Sequence, residues 1–376
     1  MSLYYLAHSR LPTNRAHGFQ IMAMCESFAH ITKTTLVLPS RKPLLTEDPF
    51  SYYHIDRNFT IQKLWSWDLY ETSVSRKVAY WVDAITFGLS TIRFAHNTIS
   101  KKEDVVFSRD VVSAFFLSLM RYQVIFEVHD LPSSLWYRWF FRKVKGVVVT
   151  NALKKEVLQV KWGIDPKKIV VAHHGVKLEE FVSPQQKEEM RKIHHIPQDK
   201  KIIMYTGHLY ESKGAPTLVE AARYLDETYH VYIVGGTPED ERTLKEKANQ
   251  WGVAPTVTFL GNQPHPAVAQ LLCAADILVI PSSGKFTHGA IESSPLKLFE
   301  YMAAQKPIVA SDLPAIREAA DGAPLYYVPS DNPEELAKKI KEIVPTSVEY
   351  KNLVSWQQRA QAIYSFAHDL CQPSNT

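Results

Sequence analysis

Thirteen short apolar runs, rich in β-branched and aromatic residues, recur along the chain with stretches of helical periodicity between them. In the first half they cover residues 3–7, 35–38, 60–64, 105–108, 124–128, 147–150 and 169–172; in the second half, 202–206, 231–234, 257–260, 277–281, 307–310 and 325–328. Runs that are apolar at nearly every position, rather than at every second one, predict strands buried on both faces, as in a parallel sheet covered by helices. The alternation therefore predicts an α/β protein of two doubly wound, Rossmann-like parallel-sheet domains facing across a cleft. A length of 376 residues is too much for one ordinary core and fits two.

The break between the halves falls within residues 174–200, where SPQQKEEMRKIHHIPQDKK is polar and carries two prolines. We assign 1–180 to an N-terminal Rossmann-like domain and 181–347 to a C-terminal Rossmann-like domain. Residues 348–376 are expected to form a helix that packs back on the first domain, ending in a disordered tail, CQPSNT.

Composition narrows the class without naming a function. Hydrophobic residues at 45% and charged residues at 22% are those of a soluble globular protein. Three widely spaced cysteines suggest neither a disulfide framework nor a zinc site, and a reducing compartment is expected. The first residues, MSLYYLAHSRLP, read as a strand and not as a signal peptide. The apolar stretch 78–92 is interrupted by Asp83 and falls short of the roughly 20 residues a membrane span needs. A net charge of +4 does not call for nucleic acid, and none is expected as a partner. Nine basic residues between Arg138 and Lys168, Lys154 among them, stand against Glu156 and Asp165, a local excess suited to an anionic surface or ligand.

In doubly wound sheets ligands bind beyond the carboxyl ends of strands, so chemistry is sought in the loops there. The most informative stretch is 289–318, in which Ser294 and Pro295 have the N-cap and first-turn chemistry of a helix start. Glu292 precedes that start and Glu300 lies inside it, with the free N–H groups of Leu296 and Lys297 between them as an anion site. Lys297 opposes the helix dipole there unless an anion or solvent compensates it. Glutamate is common enough that a chain of this size carries about one such pair at any spacing by chance, so the spacing alone decides nothing. Elsewhere, Gly18 at a helix mouth permits close backbone approach, as does Gly207. His129 ends a buried strand with Asp130 beside it to fix its tautomer, and Lys213 can reach a phosphate at a strand end. There is no Gly-x-Gly-x-x-Gly, no Walker A, no Asp-x-Asp and no His or Cys cluster at metal spacing; no metal or cofactor is expected.

Together ESSPLKLFEYMAAQKPIVASDLPAIRE, YTGHLYESKGAPTLVEAARYL, YIVGG, VTFLGN, AADILVIPSS and VVAHHGVKLEEF resemble the retaining GT-B glycosyltransferases of the family 4, or group 1, type. The resemblance runs over roughly residues 145–345 and is looser before that. It implies transfer of a sugar from a nucleotide diphosphate sugar to an acceptor hydroxyl with retention of configuration, in cell-envelope glycan or glycolipid synthesis. On that likeness Glu292 meets donor-sugar hydroxyls, Glu300 the nucleotide ribose, and Ser294, Pro295 and Leu296 the diphosphate. Lys213 neutralises the diphosphate, Gly18 belongs to a loop closing over it, and His129 lies near the reacting sugar. Gly207, His208 and Asn262 complete the donor set. His208 stands where the family usually has arginine, and His174-Gly175-Val176-Lys177 replaces its usual Asn-Gly-Val-Asp. The mechanism implied lets the leaving phosphate take the acceptor's proton, so His129 is expected to position and polarise.

For the acceptor, LWYRWFFRKVKG at 135–146 mixes Trp136, Trp139, Phe140 and Phe141 with four basic residues. That pattern suits an interfacial helix on an anionic membrane and a glycan or lipid-linked acceptor. The expected location is the cytoplasm, with peripheral attachment to its membrane face. Two alternatives stay open: a nucleotide-sugar epimerase on the same fold and a non-catalytic nucleotide-sugar-binding protein.

Overall fold

The computed structural model describes residues 1–42, 45–70, 72–132, 134–181, 186–286, 296–351 and 353–371. The chain forms two compact units, one of Met1–His173 with Trp356–Thr376 and the other of His174–Ser355. The tail expected at 372–376 lies outside the described residues.

The first unit holds seven parallel strands, β1 (Leu3–Leu6), β2 (Thr34–Pro39), β3 (Thr60–Leu64), β4 (Val105–Ser108), β5 (Gln123–Val128), β6 (Gly146–Val149) and β7 (Ile169–Val171), in the order β3-β2-β1-β4-β5-β6-β7. Because side chains alternate across a strand, one face presents Tyr4, Leu6, Val106, Val124 and Phe126 to the helices Arg76–Thr98, Val111–Leu119, Trp136–Lys143 and Ala152–Val160. On the other face Tyr5 meets Phe107 edge-on, and Phe28 of the helix Ala16–Ala29 packs on the same ring. β3, at the edge, leaves Thr60, Gln62 and Lys63 exposed, consistent with its mixed sequence.

The helix Trp356–Cys371 belongs to this unit although 182 residues separate it from β7's successor, His173. Phe366 and Leu370 occupy the space a side chain at Gly146 would need. Arg359, fully buried, donates to Glu127 Oε1 at 2.5 Å and to the carbonyl of His173 at 2.8 Å. Burial alone would push the Glu127 carboxyl up, but Arg359 and His129 outweigh it and hold it well below the usual carboxylate range.

The second unit has six parallel strands, β8 (Lys201–Thr206), β9 (Tyr229–Val234), β10 (Val257–Gly261), β11 (Ile277–Ile280), β12 (Ile308–Ser311) and β13 (Tyr326–Val328), ordered β10-β9-β8-β11-β12-β13. At the amino end of this sheet Asp276 accepts from Arg191 at 2.6 Å, from the backbone N–H of Ile202 at 2.7 Å and from Lys187 at 2.9 Å, joining helix Lys187–Ile193 to β8 and β11. Polar anchoring is thus placed away from the carboxyl ends, where ligand chemistry is sought.

All thirteen strands lie within two residues of the apolar runs, and both sheets have the doubly wound order. In each the order reverses beside its first strand, at β1/β4 and at β8/β11, opening a crevice at the carboxyl ends. Among the described residues no helix is long and apolar enough to cross a membrane.

Replacing Arg359 with alanine leaves the Glu127 carboxylate buried without its guanidinium, a loss on the order of 3–5 kcal/mol. The midpoint of urea unfolding should fall markedly, whereas replacing the exposed Arg317, paired with Asp312, should change it little.

Candidate functional site

At the carboxyl end of β8 the chain turns through Gly207, whose φ of +126° suits glycine alone. A Cβ there would stand 3.0 Å from Nζ of Lys297, so the missing side chain is what allows Lys297 to lie over this turn. Lys297, in the first turn of helix Leu296–Ala303, sits 3.8 Å above the Tyr205 ring, and the Tyr205 hydroxyl donates to the His208 carbonyl at 2.5 Å. Burial first, then neighbouring Lys213, pushes the Lys297 ammonium well below the usual lysine range, against the pull of Glu300. Burial also pushes Lys213 down. Among the described residues neither amine has a carboxylate at ion-pair distance. Two buried amines beside a helix start, without a paired carboxylate among the described residues, are suited to binding an anion.

Glu300, buried, faces the same mouth and is held from behind. Its Oε1 lies 3.2 Å from Nε2 of His265, whose Nδ1 lies 2.6 Å from Glu180. Burial alone would push the imidazole down, but these two hydrogen bonds outweigh it and raise it to about 9. At neutral pH His265 is therefore a cation clamped between two carboxylates, fixing the rotamer of Glu300.

In the first unit, His129 follows β5 and lines a cavity of about 900 Å³ at the carboxyl ends of β1, β4 and β5. Its Nε2 lies 3.4 Å from Glu127, two residues earlier on the same strand face, and its carbonyl accepts from Lys154 Nζ at 2.5 Å. Burial, followed by nearby Arg109, pushes the imidazole down to about 4 against the pull of Glu127, so it is neutral at physiological pH.

Several sequence expectations fare differently. Lys213, Gly207, Leu296 and Glu300 come together in the second unit, and His208 joins them with its ring stacked on Tyr210. Asn262, just beyond β10, is exposed. Gly18 is buried in the first turn of its helix, and its small size serves packing within the unit: a Cβ would collide with the Tyr53 hydroxyl, which bridges the N–H and carbonyl of Thr13, both at 2.7 Å. Glu292, Ser294 and Pro295 lie outside the described residues. Lys154, counted with a basic surface, is buried. Lys297, His265 and Glu180 were missed as site residues; only Lys297 carried a local signal, a lysine set against the helix dipole.

The raised His265 value fixes a pH dependence. An imidazole near 6.5 when unfolded and about 9 when folded contributes stability present in full below pH 6.5 and lost as pH rises through 9. Thermal unfolding of the wild type should lose its advantage over His265→Gln across that window; a constant difference between the two would contradict it.

Residues 200–345 match the family described as glycosyl transferases group 1. The D-inositol 3-phosphate glycosyltransferase of Mycobacteroides abscessus is 30% identical over 214 residues, 54% of this chain and 46% of that one. The chain thus spans about half the length of the curated relatives it matches. A glycosyltransferase from Rickettsia africae superposes with a TM-score of 0.73 at 16% identity over 99% of both chains. Anabaena HepE, solved with UDP, gives 0.66 at 16% identity over 99% of this chain and 98% of its own. Two doubly wound sheets, a lysine-lined helix mouth after β8 and β11, and these similarities agree: the chain has the two-domain Rossmann-like GT-B fold, and its residues 200–345 are similar to the group 1 glycosyltransferases.

Proposed function

We propose that the protein is a retaining glycosyltransferase, taking a sugar from a nucleotide diphosphate sugar to an acceptor hydroxyl in cell-envelope glycan or glycolipid synthesis. The observation that carries this reading is the pair of buried amines, Lys213 and Lys297, which have no carboxylate at ion-pair distance among the described residues, beside the hydrogen-bonded carboxylate of Glu300. A diphosphate supplies the missing negative charge, and a ribose diol supplies the donors that Glu300 accepts. That Anabaena HepE was solved with UDP supports a uridine nucleotide as the first donor to try.

In the reaction, the bond between the anomeric carbon and the diphosphate oxygen breaks while the acceptor oxygen bonds to the same face of that carbon. The acceptor's proton passes to the departing phosphate oxygen. Charge gathers on the diphosphate, so Lys213, Lys297 and the N–H groups at the helix start stabilise the transition state more than the ground state, and this route requires no metal ion. Glu292 is assigned to the donor sugar's hydroxyls. Neutral His129, its ring set by Glu127 and its carbonyl by Lys154, positions and polarises the acceptor side.

The membrane reading changes its footing. Phe140 and Phe141 belong to the core, leaving Leu135, Trp136 and Trp139 exposed on that helix. The helix Arg76–Thr98 adds an exposed row of Val78, Trp81, Ile85 and Leu89, at the spacing of one helical face. Basic Arg138, Arg142 and Lys143 accompany these aromatics, a combination suited to an anionic bilayer surface.

With UDP-glucose and a panel of other nucleotide sugars as donors, release of nucleoside diphosphate should depend on Lys213 and Lys297. Alanine at either should lower kcat about 10²- to 10³-fold. NMR of the product should show retained anomeric configuration; an isomeric nucleotide sugar as product would favour the epimerase instead. Separately, the protein should float with vesicles containing phosphatidylglycerol at low salt, and a Trp81→Gln, Trp139→Gln variant should not.

A further inference from the structure

Lys297 and Glu300 stand three positions apart on the helix Leu296–Ala303, the separation at which opposite charges on one helix meet. They do not meet. The Lys297 amine lies 3.8 Å over the Tyr205 ring, while the Glu300 carboxylate reaches the His265 imidazole at 3.2 Å. Both groups are drawn out of bulk solvent, where attraction between opposite charges is stronger than at a surface. Something must therefore hold them apart.

His265 is placed to do so. It opens the helix His265–Ala274, with Nε2 facing Glu300 Oε1 and Nδ1 facing Glu180 Oε2 at 2.6 Å, and Glu180 closes the short 3-10 turn Leu178–Glu180. An ionised carboxylate can only accept, so both ring nitrogens donate and the ring carries a positive charge. A cation in the first turn of a helix opposes the helix dipole, and the two carboxylates are what make this one stable there. With Oε1 of Glu300 engaged by the imidazole, Oε2 takes no protein hydrogen bond among the described residues and is the atom left for a ligand. Three side chains from three separate elements thus fix one carboxylate.

We propose that Glu180 and His265 are positioning residues of the donor site, which keep Glu300 from closing on Lys297 and so leave the carboxylate open to the ribose and the amine open to the diphosphate. Both act through Glu300. The inference rests on the reading of Glu300, Lys213 and Lys297 as the donor-binding groups. Without the imidazole, Glu300 pairs with Lys297, and that one rearrangement blunts both halves of the site at once.

The test is calorimetric titration of the whole chain with UDP, 2′-deoxy-UDP and inorganic pyrophosphate. The wild type should bind UDP at least about tenfold more tightly than its 2′-deoxy form, the difference expected of a hydrogen bond to a charged acceptor. His265→Ala should bring that ratio close to one and also weaken pyrophosphate about tenfold, although pyrophosphate has no ribose to lose. Adding Glu300→Gln to His265→Ala should then restore pyrophosphate binding by a factor several times larger than Glu300→Gln gives in the wild type, because only without the imidazole does Glu300 reach Lys297. Simple damage to packing would weaken all three ligands together and would not be reversed by a second substitution. Should His265→Ala fail to fold, Glu180→Gln, at a partly exposed position, should shift the ribose ratio and pyrophosphate affinity in the same directions by less. Additive effects of the two substitutions on pyrophosphate, or a ribose preference that survives both His265→Ala and Glu180→Gln, would overturn the inference alone. A wild type that binds no pyrophosphate, or that binds UDP and 2′-deoxy-UDP equally, would overturn the donor reading and the inference with it.

Discussion

A parallel sheet covered on both faces has no room for charge within it. The inner strands are paired on both sides and mostly apolar on both faces, so polar chemistry concentrates at the two ends. In the second unit the ends divide the labour. The amino end carries the compensated charge, Asp276 satisfied by Arg191, Lys187 and Ile202 N–H. The carboxyl end carries the buried amines of Lys213 and Lys297, which have no carboxylate at ion-pair distance among the described residues.

The two units solve the problem of holding anions in different ways. The second desolvates two flexible amines and sets one over an aromatic ring, so that their charge is costly until an anion arrives. The first uses planar guanidiniums, of which Arg10 and Arg41 are paired with Asp68 and Asp83. A diphosphate leaving group needs the first kind of site, because its charge grows during the reaction.

Strands were legible in the sequence because continuous burial writes itself as continuous apolarity, and the doubly wound order follows once the strands are joined by helices. The helix bearing Glu300 was legible from its start chemistry. What holds Glu300 was not: Glu180 and His265 are 85 positions apart, and nothing local marks either as the other's partner. Lys154 and Phe140 show the same limit from the other side. Each sits in a stretch that reads as wet and basic, yet one is drawn inward by a carbonyl at the end of β5 and the other by the ring of Phe126. Periodicity reports the average face of a helix, and single contacts decide the exceptions.

Arg359 also has a consequence in time. A ribosome makes residues 1–173 first, then all of the second unit, and only afterwards the helix that carries this guanidinium. Until then the nascent first unit keeps Glu127 without its partner and the surface over Gly146 uncovered. Its neighbour in the chain can close on its own contacts before it does, reversing the amino-to-carboxyl order in which domains generally mature during synthesis. The sheet of residues 1–173 is therefore completed only after the whole of the second unit has been made.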